Sequence, residues 1–166
     1  MVLTCSSFQF REKKWLLTFQ FLGSGFFTAS YFFLGAGFGM VLNFTFLLRN
    51  ILYFFFDPGK SKRGANISCI MLCLLYTACF AVYHIIITEP LKQVLLDLLP
   101  YLAAIPGTIA LTETKPVNVR LWKYPDSVFW LAYNISCLSV GGILCEIFNL
   151  ISNTVSIIRF RESRNS

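Results

Sequence analysis

Charge is scarce in this chain. Only 13% of its 166 residues are Asp, Glu, Lys or Arg, and 56% are hydrophobic. A soluble domain carries roughly 25% charged and about 45–50% apolar residues. Water-filled surroundings are therefore excluded for most of the surface, and a polytopic membrane protein is the first reading. Histidine is almost absent. His84 stands alone, and no Ser or Cys is set beside it at a recognisable spacing. Without a nucleophile and a base the chain does not read as an enzyme, and His84 reads as an interfacial or packing residue. Paired cysteine motifs are missing as well. Cys69 and Cys73 are four apart with no second pair, and nearly all six cysteines lie inside apolar runs. Neither a disulfide framework nor a metal site is read from them, no cofactor is expected, and they serve as small packing residues. A cleavable signal peptide is not read either, because the first apolar run continues past the roughly 7–15 residues of such a core. No basic face interleaved with aromatics lies outside the apolar runs, so the net charge of +6 is not a nucleic-acid footprint.

What is present is a series of apolar runs separated by turn residues. The pattern predicts an all-α membrane protein with six transmembrane helices, over 15–34, 39–56, 67–88, 92–111, 125–139 and 141–160. Gly35, Gly37 and Gly39 turn the chain after the first, and Asp57-Pro58-Gly59 stops the second. A basic loop with Lys60, Lys62 and Arg63 follows. Glu89-Pro90 ends the third helix, and the fourth holds Pro100 and Pro106-Gly107. A loop over 112–124 carries Lys115, Arg120 and Lys123, and Pro125-Asp126 is a favourable opening for the fifth helix. With six spans, 12 of the 14 basic residues fall on one side. By the positive-inside rule that side, with both termini, is cytoplasmic.

The chain also echoes itself. Shifted by 103 positions, Phe26, Ala29 and Tyr31 fall on Phe129, Ala132 and Asn134, and Gly39 falls on Gly142. Asn43 falls on Glu146, and Asn50 on Asn153. In both copies a glycine turn opens a helix, and polar residues follow four and eleven positions later, on one helical face. The copies run parallel, a plan in which transporters place their site between the halves. Three segments follow: an incomplete first repeat (1–58), a basic loop and linker helix (59–91), and a second repeat with a basic tail (92–166). Val2 to Phe8 reads as the tail of a missing first helix.

The order of these features resembles the YgjV family of bacterial inner membrane proteins. The resemblance runs from about Phe10 to Phe160. It rests on Arg11–Lys14 before a helix, Phe32-Phe33-Leu34-Gly35, and Leu42-Asn43 followed by Arg49. It rests further on Leu98-Leu99-Pro100, on Gly141-Gly142 with Glu146, and on the closing Asn153 to Phe160. It implies a plan similar to the SWEET, PQ-loop and PnuC transporters: parallel triple-helix repeats joined by a linker helix, a 3+1+3 plan here without its first helix.

On that plan the substrate-binding expectation centres on Asn50 and Asn153, whose counterparts in SWEET-like transporters hydrogen-bond the solute. Knitting helices together is the competing role for membrane asparagine. Glu146 shares a face with Asn153 and tunes charge, with Arg49 as its partner through the repeat. Asn43, Asn134, Trp130 and Tyr31 complete the expected site, with simple packing as the alternative for the aromatics. Pro106 is read as a hinge or as a static kink. The expected function is a small-solute transporter in the bacterial inner membrane. A non-transporting assembly or regulatory protein is the alternative. The expected partners are the lipid bilayer and a small polar solute, and a homodimer stays open.

Overall fold

A computed structural model of the chain describes residues 13–56 and 61–165. The described residues form six α-helices and no strand: α1 (Lys13–Phe33), α2 (Gly37–Phe55), α3 (Lys62–Ile86), α4 (Leu91–Thr112), α5 (Pro116–Ser136) and α6 (Val140–Asn165). At about 1.5 Å per residue, helices of this length match the roughly 30 Å hydrocarbon core of a bilayer. Three of them, α2, α3 and α4, are long and apolar enough to cross a membrane, and α6 contributes a shorter apolar stretch, Val140–Val155. The chain is an all-α membrane protein. The expected stop at Asp57-Pro58-Gly59, Lys60 of the basic loop, and the segment from Val2 to Phe8 lie outside the described residues.

Two helix starts differ from the sequence expectation. α3 opens at Lys62 rather than residue 67, because Ser61 is its N-cap and accepts a 3.0 Å hydrogen bond from Gly64 N–H. Lys62 and Arg63 therefore belong to a helix and not to a loop. The larger difference is α5, which begins at Pro116 and not at Pro125. Pro116 occupies the first turn, where its missing N–H costs nothing, and Val119 N–H closes that turn on Lys115 O at 3.1 Å. Most of the expected 112–124 loop is thus helical. Pro125 lies inside the helix, and Asp126 faces the protein interior rather than capping an end.

The helices pack mainly with their chain neighbours, α1 on α2, α4 on α5 and α5 on α6. α3 is the outlier. Only 11% of its most apolar stretch is buried, against 50% for α2 and for α4. Its exposed Ile70, Met71, Leu74 and Ile85 make it a helix that offers its side chains to lipid.

Two of the inter-helix turns are alike bond for bond. After α1, Leu34, Gly35 and Ala36 N–H donate to Ser30, Phe32 and Tyr31 O. After α5, Cys137, Leu138 and Ser139 N–H donate to Tyr133, Ile135 and Asn134 O. Every donor and acceptor in the second set stands 103 positions after its counterpart. The left-handed residue recurs too, as Gly35 (φ 67°) and Leu138 (φ 54°). A leucine in that region is strained by about 1–2 kcal/mol, so the second turn holds the geometry without the glycine that makes it easy in the first.

Candidate functional site

A polar cavity of about 80 Å³ opens among five of the helices. Its wall takes Gln20, Ser24, Phe27 and Tyr31 from α1, and Asn43, Phe46 and Arg49 from α2. α4 gives Gly107, α5 gives Lys123, Asp126, Trp130 and Asn134, and α6 gives Glu146 and Asn149. α3 contributes nothing. In a chain this apolar, so many polar groups turned inward mark a functional site by default, because each would be costly against lipid. The volume suits a few waters or one small solute.

Helix geometry brings these residues together. Ser24, Phe27 and Tyr31 recur at steps of three and four, and Asn43, Phe46 and Arg49 at steps of three, and so each set lies on one side of its helix. In the cavity wall Tyr31 Oη–H donates to Asn134 Oδ1 at 2.6 Å, with both residues buried. The Tyr31 ring stacks on Trp130 at 6.0 Å between centroids and meets Tyr133 edge-on at 5.8 Å. Tyr133 in turn accepts Gly39 N–H at 3.1 Å, and Asn43 Nδ2 donates to Gly39 O at 3.0 Å. The turn that opens α2 is therefore tied to α5.

Charge in the cavity is balanced. Lys123 Nζ pairs with Asp126 Oδ2 within α5. Glu146 Oε2 accepts Asn149 Nδ2 at 3.2 Å within α6. Arg49 lies over the Phe46 ring at 4.4 Å, with Nη1 donating to Thr108 Oγ1 at 3.3 Å and Nη2 to Asn50 Oδ1 at 3.5 Å. No ion pair joins Arg49 to Glu146 among the described residues; both face the cavity, with separate partners. Two cations and two carboxylates around one small volume can hold a solute that is polar without being strongly charged.

Of the residues expected from sequence, Asn43, Asn134, Trp130, Tyr31 and Glu146 line the cavity. Asn50 and Asn153 do not. Asn50 is buried against Arg49, and its Nδ2 has no hydrogen-bond partner. Asn153 is half-buried on α6, beyond the cavity wall. Pro106 is buried inside α4, directly before the lining Gly107. Lys123 and Asp126 are not legible as site residues from sequence, where Lys123 reads as loop and Asp126 as a helix start. Gln20, Phe27, Phe46 and Asn149 carried a usable signal, the 103-residue shift. It pairs Gln20 with Lys123, Phe27 with Trp130, Tyr31 with Asn134, Asn43 with Glu146, and Phe46 with Asn149.

A bundle of apolar helices closed around a polar cavity defines an integral membrane protein of bacterial type only together with sequence kinship, and that kinship is clear. Residues 1–164 match the family Imp-YgjV, described as a bacterial inner membrane protein, and the chain belongs to that family. No curated protein and no solved structure matches it.

Proposed function

We propose that this inner-membrane protein is a small-solute transporter that binds a small polar solute in the cavity between two parallel repeats, with α3 as the linker between them. The single observation that carries the reading is the pairing of cavity residues: five pairs of lining positions stand 103 residues apart. A site formed at the interface of two related halves is the arrangement on which alternating access depends. The absence of α3 from the wall and the twinned turns support the same plan. In this reading both termini are cytoplasmic, Asn43, Asn134, Tyr31, Trp130 and Glu146 contact the solute, and Pro106 is the hinge.

The test is uptake and binding in proteoliposomes across a broad panel of small polar solutes. Asn43→Ala and Glu146→Gln abolish the solute-dependent signal, while Asn153→Ala, off the wall, retains it. If no solute in the panel distinguishes wild type from Glu146→Gln, the transporter reading is overturned. The competing reading is then favoured, a non-transporting assembly or regulatory protein. Its own support is the density of helix-bridging bonds such as Tyr31–Asn134 and Arg49–Thr108.

A further inference from the structure

A second group of polar side chains lies away from the cavity, at the end of the bundle where α3 hands over to α4. His84 comes from the last turn of α3, Glu89 from the connecting segment, and Asp97 from the second turn of α4. Each brings one ligand atom to within 4.8 Å of the other two. Asp97 is 10 residues before the lining Gly107, about 15 Å along α4.

The hydrogen bonds in the group are half made. Tyr83 Oη–H donates to Glu89 Oε1 at 3.1 Å, and Gln93 Nε2 donates to Asp97 Oδ1 at 3.2 Å. One oxygen of each carboxylate is thereby held. The other two, Glu89 Oε2 and Asp97 Oδ2, are buried and have no hydrogen-bond partner, and neither ring nitrogen of His84 has one. Asp97 is only 1% exposed, and its unpartnered Oδ2 points at His84 Nε2, 3.7 Å away. The imidazole is fixed by aromatic rings, with Phe80 at 4.5 Å, Tyr83 at 5.1 Å and Phe38 at 5.8 Å between centroids. Among the described residues no Lys or Arg forms an ion pair with either carboxylate. Glu89 Oε2 and His84 Nδ1 are left open, and Asp97 Oδ2 and His84 Nε2 face each other beyond hydrogen-bond distance, an unusual loss for a membrane protein, where each unsatisfied buried group costs on the order of 1–3 kcal/mol.

We propose that His84, Glu89 and Asp97 form a binding site for a divalent metal ion of the borderline class typified by Zn²⁺. One imidazole and two carboxylates are a common donor set for such ions, with the remaining positions filled by water. The bonds from Tyr83 and Gln93 are the outer partners that orient ligating carboxylates. A bound ion at bond lengths of about 2.0–2.2 Å draws the donor atoms closer together. Glu89 supplies that adjustment, since it lies outside both helices on a flexible side chain.

The site is tested on detergent-purified full-length protein, stripped with chelator and carrying no polyhistidine tag, with its free cysteines alkylated. Zn²⁺ binding is followed by titration calorimetry, and Co²⁺ by its visible absorption. Wild type takes up one equivalent and gives a Co²⁺ spectrum of oxygen–nitrogen coordination. Asp97→Asn and Glu89→Gln each weaken binding at least tenfold. Glu146→Gln, in the cavity, leaves it unchanged, which separates this site from the solute site. Should Asp97→Asn fail to purify as a folded protein, Glu89→Gln decides alone, because Glu89 sits in the connecting segment. Absence of saturable binding in wild type overturns the proposal, as does equal affinity in wild type and Glu89→Gln.

Discussion

Tyr31 and Asn134 occupy equivalent places in two turns of identical hydrogen bonding, and they bond to each other: Tyr31 Oη–H donates to Asn134 Oδ1 at 2.6 Å across the 103 residues between them. α1 and α5 thus meet at a pair of positions that the shift maps onto each other, beside the ring contacts of Tyr31 with Trp130 and Tyr133. The phenol at one position supplies the donor and the amide oxygen at the other the acceptor.

Removing the donor alone tests how much that junction matters. Tyr31→Phe keeps the ring on Trp130 and Tyr133 and leaves Asn134 Oδ1 without its partner. We expect a stability loss of about 0.6–2 kcal/mol, the range for hydrogen bonds between membrane helices. Thermal unfolding in detergent measures it. An unchanged melting temperature would show that water replaces the hydroxyl at no cost.

The paired glycines Gly141 and Gly142 should respond in opposite ways to alanine. A Cβ on Gly142 would collide with the Asn134 side chain, whereas one on Gly141 meets nothing within 4 Å. Gly141→Ala should therefore be neutral or stabilise α6 by about 0.5–1 kcal/mol through helix propensity. Gly142→Ala must displace Asn134 and break the bond to Tyr31, so it destabilises by at least as much as Tyr31→Phe. Gly39→Ala behaves like Gly142→Ala, since its Cβ would lie 2.7 Å from Tyr133 Oη. Parallel melting curves of the three variants decide the point.

How much of this was legible in the sequence follows from the range of each signal. Apolar runs and glycine turns are local, so the six helices and the α1–α2 and α5–α6 turns could be read directly. The 103-residue shift also located Asn43, Glu146, Tyr31 and Asn134, because it relates positions without requiring contacts. The start of α5 was lost because Lys115, Arg120 and Lys123 look like a loop when charge alone is weighed. Lys115 caps the helix, and inside it Lys123 pairs with Asp126 at the cavity wall. Asn50 and Asn153 are expected in the site only through the resemblance to SWEET-like transporters; Asn50 lies against Arg49, and neither lines the cavity. His84, Glu89 and Asp97 have no motif spacing, and only the packing of α3 on α4 brings them together.

Thr108 is a junction whose role is chemical rather than steric. Fully buried on α4, its Oγ1 accepts from Arg49 Nη1 at 3.3 Å and bonds Tyr76 Oη at 2.9 Å. Thr108→Val preserves shape and removes both bonds, leaving a guanidinium nitrogen and a phenol unsatisfied. We expect a loss of about 1–3 kcal/mol. Thr108→Ser keeps the hydroxyl and forfeits only a methyl group, worth about 0.8 kcal/mol. The order valine below serine in unfolding midpoint supports the hydrogen-bond account, and the reverse order would assign Thr108 to packing.

Pro106 and Gly107 allow binding and movement to be separated. A Cβ on Gly107 would stand 2.9 Å from Asp126 Oδ1, against a residue that lines the cavity. Gly107→Ala should therefore narrow the site and weaken solute binding by about tenfold or more, equivalent to roughly 1.4 kcal/mol. Pro106 does not line the cavity. Its ring removes one backbone hydrogen bond from α4, and that is where a bend can be absorbed. Pro106→Ala restores the bond and stiffens the helix beside the site. Solute affinity at equilibrium should then stay near wild type while the uptake rate falls. A hinge predicts this split, and a static kink predicts that the two quantities move together. Measuring equilibrium binding and initial uptake on the same two variants separates the possibilities, because Gly107→Ala sets the signature of a change confined to the cavity wall.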